Sequence, residues 1–326
     1  MNVNARIAAP VTLTVALVLI LCGIAGASNF ILIKALVGKI APEQLVTARV
    51  LLAGITLSAV LFAAGKMPRL DRPTLKAATI LAATDAIIPY MLIVLAAPHI
   101  LASTSALLIA TMPVFTAVVV SLTDRSRITP SIVLGLAFGA LGVSILAGPT
   151  ALHFGSSTLL ALVAVLAASC SYAASAVYSR IPLRTANPVE LSAVKFAIAG
   201  AILVVATMFV GKPVVYIDLD LPAWLALFSI GFVVTGLARC GYVWVIGAAG
   251  SVTASLLTYV VPAATLGFAW VFLGEMLTWS EWLGASLVGA SVTCVLFGPA
   301  IAAAFRRRLL FPASQSSIAD PGQATG

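Results

Sequence analysis

The chain has 326 residues, 62% hydrophobic and 9% charged, with a mean hydropathy of +1.16. A soluble domain carries about 25% charged residues, so this composition cannot clothe a water-facing surface and reads as an integral membrane protein. The net charge of +8 comes without a basic, aromatic-interleaved patch; it argues for orientation in a membrane and against nucleic-acid binding.

A helix needs about 20 apolar residues to cross about 30 Å of hydrocarbon. Ten such runs follow in chain order, near 11–33, 43–64, 75–96, 101–121, 130–148, 157–179, 189–210, 222–246, 252–273 and 280–303. They are called spans 1 to 10 below. Turn-like or charged stretches separate them, such as GKMPRLDRP after span 2 and GKPVVYIDLDLP after span 7. The reading predicts an all-α polytopic membrane protein, with a polar tail over 304–326 on the cytoplasmic side that is expected to be disordered.

The distribution of basic residues orients the spans. With the amino terminus inside, twelve Lys and Arg residues fall in inner loops and ends, among them Lys66, Arg69, Arg125, Arg180 and Arg306. Three fall outside, namely Lys34, Lys39 and Lys212. This bias predicts cytoplasmic termini and a cell (inner) membrane location. The apolar core of span 1 ends in an Ala-x-Ala before Ser28, which looks like a signal-peptide cleavage site.

The chain repeats itself. At an offset of 146, Pro42 meets Pro188, Arg49 meets Lys195 and Gly54 meets Gly200. At an offset of 149, Pro113 meets Pro262, Thr104 meets Thr253 and Thr116 meets Thr265. Residues 11–148 and 157–303 are therefore two five-helix halves. Span 1 pairs with span 6, so it is expected to be retained. Five is odd, so the second half enters the membrane upside down relative to the first. Inverted repeats that enclose a site near the midplane are a recurring transporter architecture.

The chemistry-bearing residues are few. Asp85 lies mid-way along span 3, and Arg239 lies within span 8 at a depth differing by only about 4–5 Å at 1.5 Å per residue. Buried ionisable groups in a membrane mark pathways and need partners. The two are expected to pair across the repeat interface or to hold opposite ends of a zwitterion, with proton coupling through Asp85 as a further role. Arg49 and Lys195 occupy repeat-equivalent places near the mouths of spans 2 and 7. They are expected to be interfacial anchors or gate groups, as is Glu275. Softer pathway candidates are Asn29, Tyr90, Tyr172, Ser175, Tyr178, Tyr242, Trp244, Thr258 and Tyr259, since aromatic and hydroxyl groups suit a small amphipathic substrate. Pro89, Pro113 and Pro262 are expected to kink their helices, the last two symmetrically. Gly135 and Gly139 in span 5, and Gly284 and Gly289 in span 10, permit close contact either between those spans or between two protomers of a homodimer.

The stretches SNFILIKALVGKIAPEQLVTARVLLAG, STSALLIATMPVFTAVVV, AASCSYAASAVYSR and TASLLTYVVPAATLGFAWVFLGEMLTWSEWLGASLVGASV resemble the EamA-type ten-helix members of the drug/metabolite transporter superfamily. The resemblance covers residues 15–300. It implies a carrier of small metabolites, often amino acids or related compounds and commonly outward. It also implies a cavity lined by spans 1, 3, 4, 6, 8 and 9, with an aromatic side chain at the place of Tyr172. The family's Leu-Gly-Glu after the ninth span stands here as Leu273-Gly274-Glu275, whereas its first-half counterpart reads SLTDRSR, with Ser126 opposite Glu275. The family's frequent Trp-Gly before Ser-Asn is Gly26-Ala27.

No Walker A, Rossmann, HExxH or GxSxG pattern is present. The two histidines, His99 and His153, lie in loops, and the four cysteines sit in apolar runs without CxxC spacing. The reading is therefore not an enzyme, with no cofactor or metal. It predicts a secondary active transporter, an exporter of a small-molecule substrate across the lipid bilayer. The alternatives are a facilitator or exchanger, or a non-transporting assembly or signalling subunit.

Overall fold

The computed structural model describes residues 12–68, 70–123, 130–151, 157–184, 186–209, 219–254 and 257–310. They form ten helical spans. Span 1 is Leu13–Leu36, span 2 Pro42–Ala63, span 3 Arg72–Ala96 and span 4 Ala102–Thr123. Span 5 is Pro130–Ala151, span 6 Ser157–Ser179 and span 7 Pro188–Phe209. Span 8 is built from Leu221–Phe228, Ser229–Leu237 and Ala238–Ala254, span 9 is Leu257–Leu273 and span 10 is Trp279–Leu310. Among the described residues, seven spans are long and apolar enough to cross a membrane, and Pro130–Leu146 and Val260–Leu273 are shorter apolar stretches of spans 5 and 9. The last helix runs to Leu310, past the expected end near 303; the rest of the expected tail lies outside the described residues.

The local starts and stops follow from sequence. Asp71 and Asp220 cap spans 3 and 8, each accepting a backbone N–H three residues on at 3.1 Å, from Thr74 and Ala223, with proline two residues after the cap. Thr278 and Glu281 form a reciprocal capping box at span 10. Gly274, at φ +66°, closes span 9, and the Glu275 N–H then reaches back to the Ala269 carbonyl at 3.1 Å. A residue with a Cβ would be strained there, and this turn sets where the Glu275 side chain goes.

The two halves pack with two-fold symmetry in their contacts. Span 1 lies against spans 8 and 9, and span 6 against spans 3 and 4. Span 2 meets span 8 as span 7 meets span 3, while 2 against 7, 4 against 9 and 5 against 10 are pairs of equivalents. Exchanging the halves leaves this set unchanged. With five helices in each, the exchange also turns the chain over, so the pseudo-two-fold axis lies in the membrane plane. The main apolar core joins both halves, with Phe30, Val50, Leu57 and Ala86 packed with Phe196, Leu203 and Ile230. Large apolar side chains such as Leu17, Ile55, Phe209 and Trp270 cover the outside, as a lipid-facing surface requires.

Spans 5 and 10 pack directly on each other. The Ser291 hydroxyl donates to the Gly135 carbonyl at 2.5 Å, and a Cβ on Gly142 would stand 2.8 Å from the Gly284 carbonyl oxygen. Gly135, Gly139, Gly142 and Gly284 thus serve this contact. Gly289 faces open space, so it takes no part in the contact between spans 5 and 10.

The prolines differ from the symmetric expectation. Pro113 sits at the start of a second helical piece, because span 4 breaks between Ala102–Ile109 and Met112–Thr123. At that break the Thr111 hydroxyl takes up the Leu108 carbonyl and the Thr111 carbonyl receives the Val114 N–H. Pro262 lies inside a continuous helix. Pro89 follows a π-helical stretch, Ala83–Ile87. Its ring cannot approach the carbonyl four residues back, and the wider turn removes that clash.

Candidate functional site

Both central π-helical stretches, Ala83–Ile87 in span 3 and Ser229–Leu237 in span 8, stand at corresponding places in the two halves. Widening a helix by one residue frees carbonyls from their normal partners. Ser171 of span 6 donates to the Thr84 carbonyl at 2.7 Å, and Thr235 donates to its own Ile230 carbonyl, five residues back, at 2.7 Å. π-Bulges often mark functional sites, and here each one receives a buried basic side chain from the other half.

Lys195 of span 7 reaches the first. Its ammonium donates to Asp85 Oδ2 at 2.5 Å. The Ser175 hydroxyl lies 3.2 Å from Asp85 Oδ1. Arg239 Nη2 stands 3.7 Å from Asp85 Oδ2, and Arg239 Nε is 3.4 Å from Ser192 Oγ. The Lys195 side chain is 2% exposed, Asp85 17% and Arg239 38%, so the pair itself is buried and Arg239 is the most open member of the group.

Arg49 of span 2 reaches the second. Its Nε donates to Thr235 Oγ1 at 2.8 Å, and its guanidinium carbon lies 3.8 Å from the centre of the Tyr90 ring. That is a cation–π contact in a desolvated setting. Tyr90 in turn meets Tyr172 edge-on, with centroids 6.4 Å apart. Spans 2, 3, 6, 7 and 8 thus deliver one cluster of three cations, one carboxylate and two phenols.

The placements revise several expectations. Arg49 and Lys195 are not interfacial anchors: at 5% and 1% exposure they lie buried between helices. Each starts two turns inside its helix, so its side chain cannot reach the interface and turns inward instead. Asp85 does meet Arg239, but its closer partner is Lys195, which the sequence had placed elsewhere. The signal was available, since the repeat sets Lys195 opposite Arg49, but the depth of span 7 relative to span 3 could not be read from apolar runs. Tyr178 packs in an apolar cluster with Ala77, Leu81 and Val194, and Tyr242 packs by Val15, Leu19 and Val245. Trp244 is 46% exposed. None of these three joins the charged cluster. Thr258 and Tyr259 lie on span 9, and their side chains fall outside the described residues.

The halves are also tied at the face opposite the amino terminus, called the far face here. Glu275 accepts from the Ala102 and Ser103 N–H groups at 2.9 and 3.2 Å and from the Ser103 hydroxyl at 2.8 Å. A carboxylate at the start of a helix is favoured by the free N–H groups and the helix dipole. Lys39 donates to both oxygens of Asp220 at 2.8 and 3.1 Å. The Lys39 hydrogen bond, with the Ala223 N–H, holds the Asp220 carboxyl below the ordinary carboxylate range. A depressed pKa means the latch is intact at neutral pH and is lost only as pH falls through that lowered value.

A model of the EamA-like transporter family matches residues 13–148 and again 159–297. The chain belongs to the EamA-like transporter family. The model thus matches the chain twice, along two successive stretches. An "Uncharacterized transporter YoaV" from Bacillus subtilis (strain 168) is 26% identical over 185 residues, covering 56% of this chain and 63% of that protein; the match thus spans less than two thirds of that relative. A solved crystal structure, described only as that of a protein, superposes with a TM-score of 0.62 at 19% identity, over 91% of this chain and 98% of the other. That likeness concerns the fold. As an EamA-family member the protein is a multi-pass membrane protein of a transporter family.

Proposed function

We propose that this protein is a secondary carrier of a small metabolite, an exporter that works by alternating access between its two five-helix halves. One observation carries the reading: charged side chains from four spans and both halves converge on one cluster, as a carrier's substrate site requires. Charges in a membrane interior cost about 2.5–3.5 kcal/mol each on insertion scales, and they persist where they line a path. Both halves contribute, so relative motion of the halves reshapes the site.

The excess of basic residues on the amino-terminal face supports a cytoplasmic orientation for that face, in a cell (inner) membrane. The latched far face is then the outer one. A site closed outward and loaded from inside suits export. The sequence has no phosphate-binding loop for ATP, which points to an ion or solute gradient as the drive.

Flux into proteoliposomes tests this, with labelled amino acids, organic cations and organic acids, each with and without a pH gradient. The reading expects one class to move, with gradient dependence, and to stop moving in Asp85→Asn/Lys195→Met. Flux that ignores the gradient makes the protein a facilitator or exchanger. No flux of any class contradicts the carrier reading.

A further inference from the structure

The two repeat-related sites, each built across the halves, are alike in frame and unlike in charge. In one, Lys195 meets Asp85, and Ser175 of span 6 stands by the same carboxylate. In the other, Arg49 meets Thr235, a neutral hydroxyl. Asn29 of span 1 is the repeat equivalent of Ser175, at the offset of 146 that also relates Arg49 to Lys195. Among the described residues, two buried side-chain polar atoms lack a hydrogen-bond partner, and they are Asn29 Oδ1 and Arg49 Nη1. Arg49 belongs to the site that meets a hydroxyl and not a carboxylate.

We infer that Arg49 is the receptor for a carboxylate on the substrate, and that the transported metabolite is an organic anion. This rests on the carrier reading above and names the substrate class for it. Arginine keeps its charge at any working pH and presents paired N–H donors that match a carboxylate. Nε is already spent on Thr235 and the flat face on Tyr90, which fixes the guanidinium plane and leaves Nη1 to bind. Lys195 and Asp85 compensate each other, and Arg239 leans on the same carboxylate at 3.7 Å. Arg49 has no such compensation. A substrate carboxylate supplies it, whereas a zwitterion adds no net negative charge and an amine adds the wrong sign.

Thermal melting of the full chain in detergent tests the assignment with matched probes: benzoate, benzamide and benzylamine, then 3-phenylpropanoate, 3-phenylpropanamide and phenylalanine. The expected result is that the two carboxylates raise the melting temperature, phenylalanine does so less, and the amides and the amine do not. Arg49→Gln loses the carboxylate response. Arg49→Lys keeps the charge and the fold while losing the paired donors, so its half-saturating concentration rises roughly tenfold. Amides or the amine stabilising as well as the carboxylates, or no stabilisation by either carboxylate, would overturn the assignment, as would an unchanged response in both Arg49 variants. The carrier reading stands or falls separately. Carboxylate binding without flux in proteoliposomes counts against transport and leaves this assignment standing, and flux of amines alone does the reverse.

Discussion

Asp85→Asn is expected to destabilise the protein and abolish transport. The substitution leaves Lys195, with a side chain only 2% exposed, facing no carboxylate at its ammonium. Breaking a buried pair from one side costs about 3–5 kcal/mol, because the remaining charge is neither solvated nor matched. Removing both charges is different, since a well-packed neutral pair is often as stable as the ion pair. The double variant Asp85→Asn/Lys195→Met should therefore regain most of the melting temperature while staying inactive. The measurement is melting in detergent alongside flux. Asp85→Asn melting with wild type would show that Lys195 has another buried partner or no charge to lose.

Gly142→Val is expected to have the largest purely structural effect. A Cβ there would meet the Gly284 carbonyl oxygen at 2.8 Å and the Val288 nitrogen at 3.0 Å. These are backbone atoms, so no side chain can rotate away and spans 5 and 10 must separate. Overpacking costs about 1–3 kcal/mol when side chains can adjust, and the nearby Ser291–Gly135 hydrogen bond would go with it. Gly289→Val is the control, because that position opens to space, and its effect should lie within about 0.5 kcal/mol. Equal melting temperatures for the two variants would mean that the small-residue seam joins something other than these two spans.

Much of this architecture is legible in the sequence. Ten apolar runs, their turn-like breaks and the offsets at Pro42/Pro188 and Pro113/Pro262 give the spans and the inverted halves without any coordinates. The site is legible only in its members. Asp85, Arg239, Arg49, Lys195, Tyr90 and Tyr172 stand out because charge and aromatic groups are rare in such runs. Their pairing is not legible, for two reasons. Apolar runs fix a helix to within a few residues, while a salt bridge requires an ångström. The π-helical turns at Ala83–Ile87 and Ser229–Leu237 then rotate everything beyond them, and no residue type announces them apart from Pro89. The exposed candidate Trp244 illustrates the same limit, since which face of a lipid-embedded helix points inward has weak periodicity to reveal it.

The central claim is that the two faces open alternately. The most direct measurement is a pair of spin-label distances in a cysteine-free background, His99 with Met276 on the far face and Met67 with Ile181 on the amino-terminal face. Met276, Met67 and Ile181 are 73%, 76% and 66% exposed, so labels there should leave the core undisturbed. The account predicts two populations at each face that change in opposite senses: when the Lys39–Asp220 and Glu275 contacts are removed by Lys39→Ala with Glu275→Gln, the far-face distance lengthens and the amino-terminal one shortens. A single unchanged distance at both faces, in wild type and variant alike, would contradict alternating access and return the charged cluster to a structural role.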